Sequence, residues 1–325
     1  MNRRSFLKTS FSTLAAVPAL RVGGAVAGVE AKKTKIAIVK TQDRVSGVKD
    51  AVRLLELPSM KGKRIFLKPN FNTADPFPAG THNDTLTTLI REIKSRGAAG
   101  ITLGERSGPP PTHKVMEDKG IFALSQELGF KVVNFEDLAE ADWTHFNPPG
   151  NHWPGGFFVP KPLVEAEYIV ATCCLKSHQY GGVFTMSLKL AVGATPKKLM
   201  RDLHSSPDQR LMIAEINTAY TPKLIVMDGL EAFVDGGPST GKKAAADVVI
   251  AGTDRIAVDA VGVAVLKELG SNDAIMGQKI FEQEQIKRAA ELGLGVSSPH
   301  QIELATSDET SRLYAEKLKA ILAEG

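Results

Sequence analysis

The sequence predicts an α/β fold, a mostly parallel sheet or sheets with flanking helices, and two observations predict it. Short β-branched apolar runs alternate along the chain with segments of helical period, the pattern of βαβ units. Several of those runs also end on a charged residue followed by turn-forming residues, as strands do where they meet one edge of an open sheet. Two α/β halves packed around a crevice are the alternative arrangement.

The strands read as Lys35–Val39, Arg64–Leu67, Gly100–Leu103, Lys131–Val133, Tyr168–Cys174, Leu224–Met227, Val248–Ile250 and Gln301–Leu304. Helical period is plainest over Asp84–Arg96, where Leu86, Leu89, Ile90 and Ile93 line one face between a capping Asn83 and a terminating Gly97. Further helices are expected at Val45–Leu57, Val183–Ala191, Pro207–Ala219, Arg255–Leu269, Lys279–Glu291 and Glu309–Ala323. Residues 143–162 are rich in Pro, Gly and aromatic side chains and have no period. They predict an excursion or lid that crosses between residues 35–142 and residues 163–325.

Residues 1–27 read as an export leader. Arg3 and Arg4 form a paired-arginine head, Phe11 to Leu20 a short apolar run, and Ala25-Val26-Ala27 a small-x-small cleavage pattern. The apolar run is too short to span about 30 Å of hydrocarbon, and no later run is longer. A linker of residues 28–34 and a single domain of residues 35–325 follow. The leader carries four basic residues, Arg3, Arg4, Lys8 and Arg21, and no acidic ones. Removing those four from the chain's 40 Lys and Arg leaves 36, equal to its 36 Asp and Glu, so the remainder is formally neutral. A neutral chain does not suit nucleic acid or an anionic membrane as a partner. The expected partners are the twin-arginine export machinery and a small ligand, in the periplasm, with no transmembrane anchor.

Cys173 and Cys174 are the two cysteines, and they lie inside an apolar strand. Neighbouring strand residues face opposite sides, which predicts core packing for one or both of them.

The candidate chemistry sits where strands end. Leu67 is followed by Lys68-Pro69-Asn70, Leu103 by Gly104-Glu105-Arg106-Ser107, Leu175 by Lys176-Ser177-His178, Met227 by Asp228-Gly229, and Ile250 by Ala251-Gly252-Thr253-Asp254. Ionisable groups delivered to one sheet edge make a crevice for a charged ligand. Lys68 and Lys176 would neutralise an anion, and Asn70 and Ser177 would orient it. Glu105 and Asp228 would serve as acid–base groups or metal ligands, and His82 or His178 as the proton carrier. Thr81 and His82 precede a helix N-terminus suited to phosphate or carboxylate. Ser107 and Lys189 complete the candidate set. His178 and His204 with Asp228 or Glu105 are the residues from which a metal site could be built, without the tight spacing that such sites usually show. The stretch Gly236–Lys242 matches G-x-x-x-x-G-K, but Lys243 stands where a P-loop needs Ser or Thr and a strand follows where it needs a helix. Ser107 is one position out of a G-x-S-x-G nucleophile elbow.

These stations, with Thr81-His82-Asn83-Asp84, Ser187-Leu188-Lys189, Gly236-Gly237-Pro238 and Asp254 leading to Val258-Asp259-Ala260, occur in an order and spacing that resembles the domain of unknown function 362 family. The resemblance covers nearly all of residues 35–295. Some members of that family carry ferredoxin-like cysteines for iron–sulfur clusters. With only Cys173 and Cys174, this chain has no four-cysteine site of that kind, and its cofactor stays unnamed. The expectation is therefore an exported α/β protein whose strand-end crevice binds a small anionic ligand, metal or cofactor, with an enzymatic role open. The rival expectation is a non-catalytic periplasmic carrier or accessory protein for a metal or redox cofactor system.

Overall fold

A computed structural model describes residues 33–325; the expected leader, and the linker up to residue 32, lie outside the described residues. The chain lays down β1 (Thr34–Lys40), α1 (Arg44–Arg53), β2 (Arg64–Lys68), α2 (Asn83–Ser95) and β3 (Gly100–Glu105). Next come α3 (Thr112–Asp118), α4 (Ile121–Leu128), β4 (Lys131–Asn134), β5 (Trp143–Phe146), β6 (Phe157–Pro160) and α5 (Lys161–Val164). The second half adds β7 (Tyr168–His178), β8 (Val183–Thr185), a 3₁₀ turn at Lys189–Ala194, α6 (Met200–Ser205), α7 (Gln209–Ile216), β9 (Leu224–Gly236) and β10 (Gly241–Gly252). It closes with α8 (Arg255–Glu268), α9 (Asp273–Met276), α10 (Glu284–Glu291), β11 (Ile302–Ala305) and α11 (Glu309–Glu324).

One mixed sheet carries the fold, in the order β11-β1-β10-β9-β7-β2-β3-β4, with β8 hairpinned onto β7. Along that order β10 alone runs against the rest, since it is antiparallel to both β1 and β9. Strands from residues 35–142 and from residues 163–325 interleave in this sheet. The arrangement as two α/β halves is therefore corrected to a single sheet, because β1 sits between β11 and β10 and β2 sits against β7.

Alternation along the strands sorts the core into two faces. Ile36, Ile38, Cys173, Leu175, Ile225, Met227, Val248 and Ile250 pack with α8 and α11 on one side. Ala37, Val39, Cys174, Val226, Val249 and Ala251 pack with α1 and α2 on the other. The two cysteines thus point to opposite faces, as the alternation predicts. Burial pushes the Cys174 thiol up to about 12 and raises the Cys173 thiol well above its ordinary value.

Two expectations need correcting. The helix expected at Val183–Ala191 is instead β8, a turn and the 3₁₀ segment. Phe184, Met186, Leu188 and Leu190 recur at every second position and all enter one core face, which is a strand's period and not a helix's. The apolar strands of residues 168–174 and 224–227 run on to His178 and Gly236, so Lys176–His178 and Asp228-Gly229 lie within strands and not in turns. The excursion of residues 143–162 is a two-stranded hairpin, β5 with β6. Trp153, Phe157 and Val159 fix it to a third apolar cluster, and the His152 ring meets Glu215 at 2.6 Å. It lines neither of the two cavities described below, while its Trp143 and Phe158 line a third, of about 400 Å³, with Arg106 and Lys197. The helices α3 and α4, between residues 112 and 128, were not among the expected elements.

Among the described residues, no helix is long and apolar enough to cross a membrane.

Candidate functional site

From β2 the chain winds outward through β3 and β4, then returns to lay β7 on the other side of β2 and builds away through β9. The winding therefore reverses between β2 and β7, and ligands of open α/β sheets bind at such a reversal, beyond the carboxyl ends of the strands. Lys68 ends β2 and Glu105 ends β3. The strand β7 continues seven residues past Ala171, the partner of Lys68, and a register irregularity against β9 between Cys174 and Lys176 redirects it over that edge.

A small inner cavity of about 60 Å³ opens there, with Lys68, Asn70, Glu105, Lys176, His178 and Lys189 among its walls. It shares Asn72, Arg106, His178, Lys189, Val192 and Pro238 with an outer cavity of about 940 Å³. The outer space adds Pro109, Tyr180, Met200, His204 and Gln209.

The inner wall divides by partnership. The Lys68 ammonium donates to Glu105 Oε1 at 2.6 Å and to the Pro69 carbonyl at 2.9 Å, and both side chains are fully buried. Glu105 also accepts the backbone N–H groups of Phe71 (2.9 Å) and Arg106 (2.8 Å). Burial lowers the lysine and raises the carboxyl, while each opposes the other's shift. Gly193 lies against this pair: a Cβ there would stand 2.5 Å from Glu105 Oε1 and 3.0 Å from Lys68 Nζ. Only glycine fits that approach.

Lys176 is as deeply buried, yet among the described residues its ammonium meets only the carbonyls of Ala79 (2.5 Å) and Pro238 (3.2 Å). Lys189, 8% exposed, has no hydrogen-bond or ion-pair partner among the described residues. Burial, then Lys176 and Arg106, bring its ammonium down to about 7. The same forces act on His178, which burial, Lys189 and Lys176 bring down to about 2. Several polar atoms in these walls are buried and unpaired: Asn70 Oδ1, His178 Nδ1, Thr185 Oγ1 and Gln209 Nε2. Such atoms are rare in folded chains, and several around one cavity mark it as a place where a polar ligand or ordered water completes the bonding.

The fold thus brings together Lys68, Asn70, Glu105, Lys176, His178 and Lys189 of the expected set. The others are placed elsewhere. Asp228 lines neither cavity: it pairs with Arg44 at 2.7 Å and accepts from Thr85 Oγ1 at 2.5 Å. His82 caps α2, its Nδ1 accepting the Asp84 N–H at 3.1 Å, so it takes the backbone donor that an anion would have used. It lines neither cavity. Thr81 and Asn70 latch the β2–α2 loop through two mutual bonds, at 2.9 and 2.8 Å. Ser177 donates to the Gly236 carbonyl at 3.2 Å, and the Ser107 N–H donates to Thr112. Burial, Lys189 and Lys176 disfavour the protonated form of His178. Asp254 lies at the opposite edge, because β10 runs the other way. Among the described residues, no three His, Cys, Asp or Glu side chains come together in a way that could hold a metal ion. Asp228 lines neither cavity and Glu105 is committed to Lys68, so the expected His178–His204–carboxylate set does not assemble among the described residues.

Sequence reasoning missed Arg106 as a site residue, although it follows Glu105 directly. Its guanidinium donates to the carbonyls of Thr195 (2.8 Å), Ser107 (3.0 Å) and Val192. It thereby clamps the C-terminal end of the 3₁₀ segment that Lys189 opens.

The chain is a member of the family described as Domain of unknown function (DUF362), whose model matches residues 65–264. Over 251 residues it is 24% identical to a thylakoid-associated protein of Synechocystis, which covers 74% of each chain. Among solved structures it is similar to the lactate racemase apoprotein of Thermoanaerobacterium thermosaccharolyticum, with a TM-score of 0.43 and 15% identity. That similarity covers 63% of this chain and about half (52%) of the other.

Proposed function

We propose that this protein binds a small organic anion, with the acidic group in the inner cavity against Lys176 and Lys189 and the rest of the molecule in the outer cavity. One observation carries the reading: two buried ammonium groups share a cavity wall and neither has a carboxylate partner among the described residues. An uncompensated buried charge is costly, and a ligand anion would supply the missing compensation. Glu105 is the sole carboxylate of the inner wall and already answers Lys68. The outer walls offer apolar surface from Val192, Met200 and Pro109 beside polar groups, which suits an organic body. The paired arginines and cleavage pattern of residues 1–27 support export by the twin-arginine route, so the anion would be met outside the cytoplasm.

Thermal melting with acetate, phosphate and sulfate tests the binding. The wild-type protein is expected to gain melting temperature with at least one of these anions by mass action. Lys176→Met is expected to fold and to lose most of that gain. A full gain in Lys176→Met, or no gain with any anion in the wild type, overturns the reading.

A further inference from the structure

Lys189 is placed with more care than a charge that only attracts an anion requires. Asp259 accepts the N–H groups of Ser187 (2.7 Å) and Leu188 (2.9 Å), and Asn217 donates to the Leu188 carbonyl at 3.0 Å. Arg106 holds the far end of the same segment through Val192 and Thr195. The lysine stem then passes Gly182 so closely that a Cβ there would lie 2.7 Å from Lys189 Cε and 2.9 Å from His178 Nδ1. The ionisable groups that face the amine are Lys176 and His178 from β7, Arg106 from the end of β3, and His204 from α6. Glu105 is the acidic group of the same cavity wall, and it is paired with Lys68 at 2.6 Å.

We propose that Lys189 is a nucleophilic amine that condenses with the carbonyl of a small 2-oxo carboxylic acid, whose carboxylate is held by Lys176. This deepens the anion reading and rests on it. The Nζ lone pair adds to the carbonyl carbon, and the carbonyl oxygen becomes a hydroxyl with the proton that nitrogen gives up through solvent. The hydroxyl takes up a second proton from solvent, the carbon–oxygen bond breaks as the nitrogen lone pair forms the carbon–nitrogen double bond, one water leaves and a protonated imine remains. Nothing is oxidised or reduced. The addition needs a neutral amine, and a lysine that is desolvated beside another cation is activated in that way. With its ammonium brought down to about 7, a substantial fraction of Lys189 is unprotonated at neutral pH.

The full-length chain is incubated with pyruvate as the probe and sodium cyanoborohydride, and the trapped secondary amine is located by peptide mapping. One adduct is expected, on Lys189, and none at that position in Lys189→Arg. The yield should rise with pH and level off above about 7, whereas an ordinary lysine continues to gain towards about 10.4. The proposal is overturned if the wild-type map shows no adduct on Lys189, or adducts spread over exposed lysines. Melting with acetate and pyruvate separates the two levels. If both anions stabilise the fold and no adduct forms on Lys189, the amine role falls and the anion site stands. If neither stabilises it, both readings fall.

Discussion

At the two edges of the sheet the same sequence pattern, an apolar strand followed by a charge and a turn, meets opposite fates. Asp254 leaves β10 at the edge opposite Lys176, where it lines a separate cavity of about 600 Å³ with Lys35, Glu56 and Val296. There its carboxylate accepts N–H groups from Ile256 (2.8 Å), Ala257 (3.0 Å) and Val296 (2.8 Å), so it caps α8 and ties down the residue-296 loop. Lys176 at the other edge is completely buried and meets two neutral carbonyls. Lys189 beside it meets no partner among the described residues. Asp254 is half-buried and has its partners, and Lys68 shows that a fully buried charge can have them too, paired with Glu105. A buried charge that has its partners holds the structure together, and one that lacks them leaves a deficit for something else to meet.

Lys68 breaks or sharpens that comparison most strongly, because it lies on the cavity wall yet has a full partner. If partnership decides the role, Lys68→Met should leave Glu105 charged and uncompensated and cost about 3–5 kcal/mol. The double variant Lys68→Met with Glu105→Gln should recover much of that loss. Chemical denaturation of the three proteins measures it. A Lys68→Met protein as stable as wild type would show that the pair is not structural, and Lys68 would rejoin Lys176 as an anion-binding group.

Asp254 supplies the matched case at the other edge. Asp254→Ala removes the α8 cap and should cost about 1–2 kcal/mol. The gain in melting temperature with anions should be unchanged from wild type. If that gain disappears while the fold persists, the two edges are coupled and their separation into framework and site is wrong.

The sequence made the strands and the charged stations legible because both are local. Lys68, Glu105 and Lys176 each follow their own apolar run, and no long-range information is needed to see it. Direction was not legible. Whether β10 runs with or against β9 decides which edge receives Asp254, and that depends on a hairpin at Gly236–Gly241 whose residues looked like an unexplained glycine-rich loop. Strand length was hidden for a similar reason. β7 and β9 continue through polar residues that the pairing of their neighbours satisfies, so apolar pattern alone placed Lys176 and Asp228 in turns. Asp228 was assigned to the crevice because its partner Arg44 is 184 residues away. Nothing in the local sequence announces an ion pair of that span. Lys189 reads as a helix residue only when the alternation of Phe184, Met186, Leu188 and Leu190 is passed over; in the fold β8 ends at Thr185 and Lys189 opens the 3₁₀ segment.

Gly182 gives the finest test, because it touches the site without carrying any chemistry of its own. Its absent side chain leaves room for Lys189 Cε and His178 Nδ1, which a Cβ would approach to 2.7 and 2.9 Å. In Gly182→Ala the lysine end can move aside by rotating its stem, whereas the imidazole is fixed by β7 and moves less easily. The cost to stability should therefore fall in the ordinary range of overpacking, about 1–3 kcal/mol. The effect on the site should be larger in proportion, since displacement of Lys189 separates its amine from the anion that Lys176 holds. Trapping of pyruvate at Lys189 should fall well below wild type, while acetate, which needs only the charges, still raises the melting temperature. Cα substitution beside an idle surface lysine would alter neither measurement. Undiminished trapping in a folded Gly182→Ala protein would show that the close approach at Gly182 does not position the amine, and the case for a placed nucleophile would then rest on Asp259 and Arg106 alone.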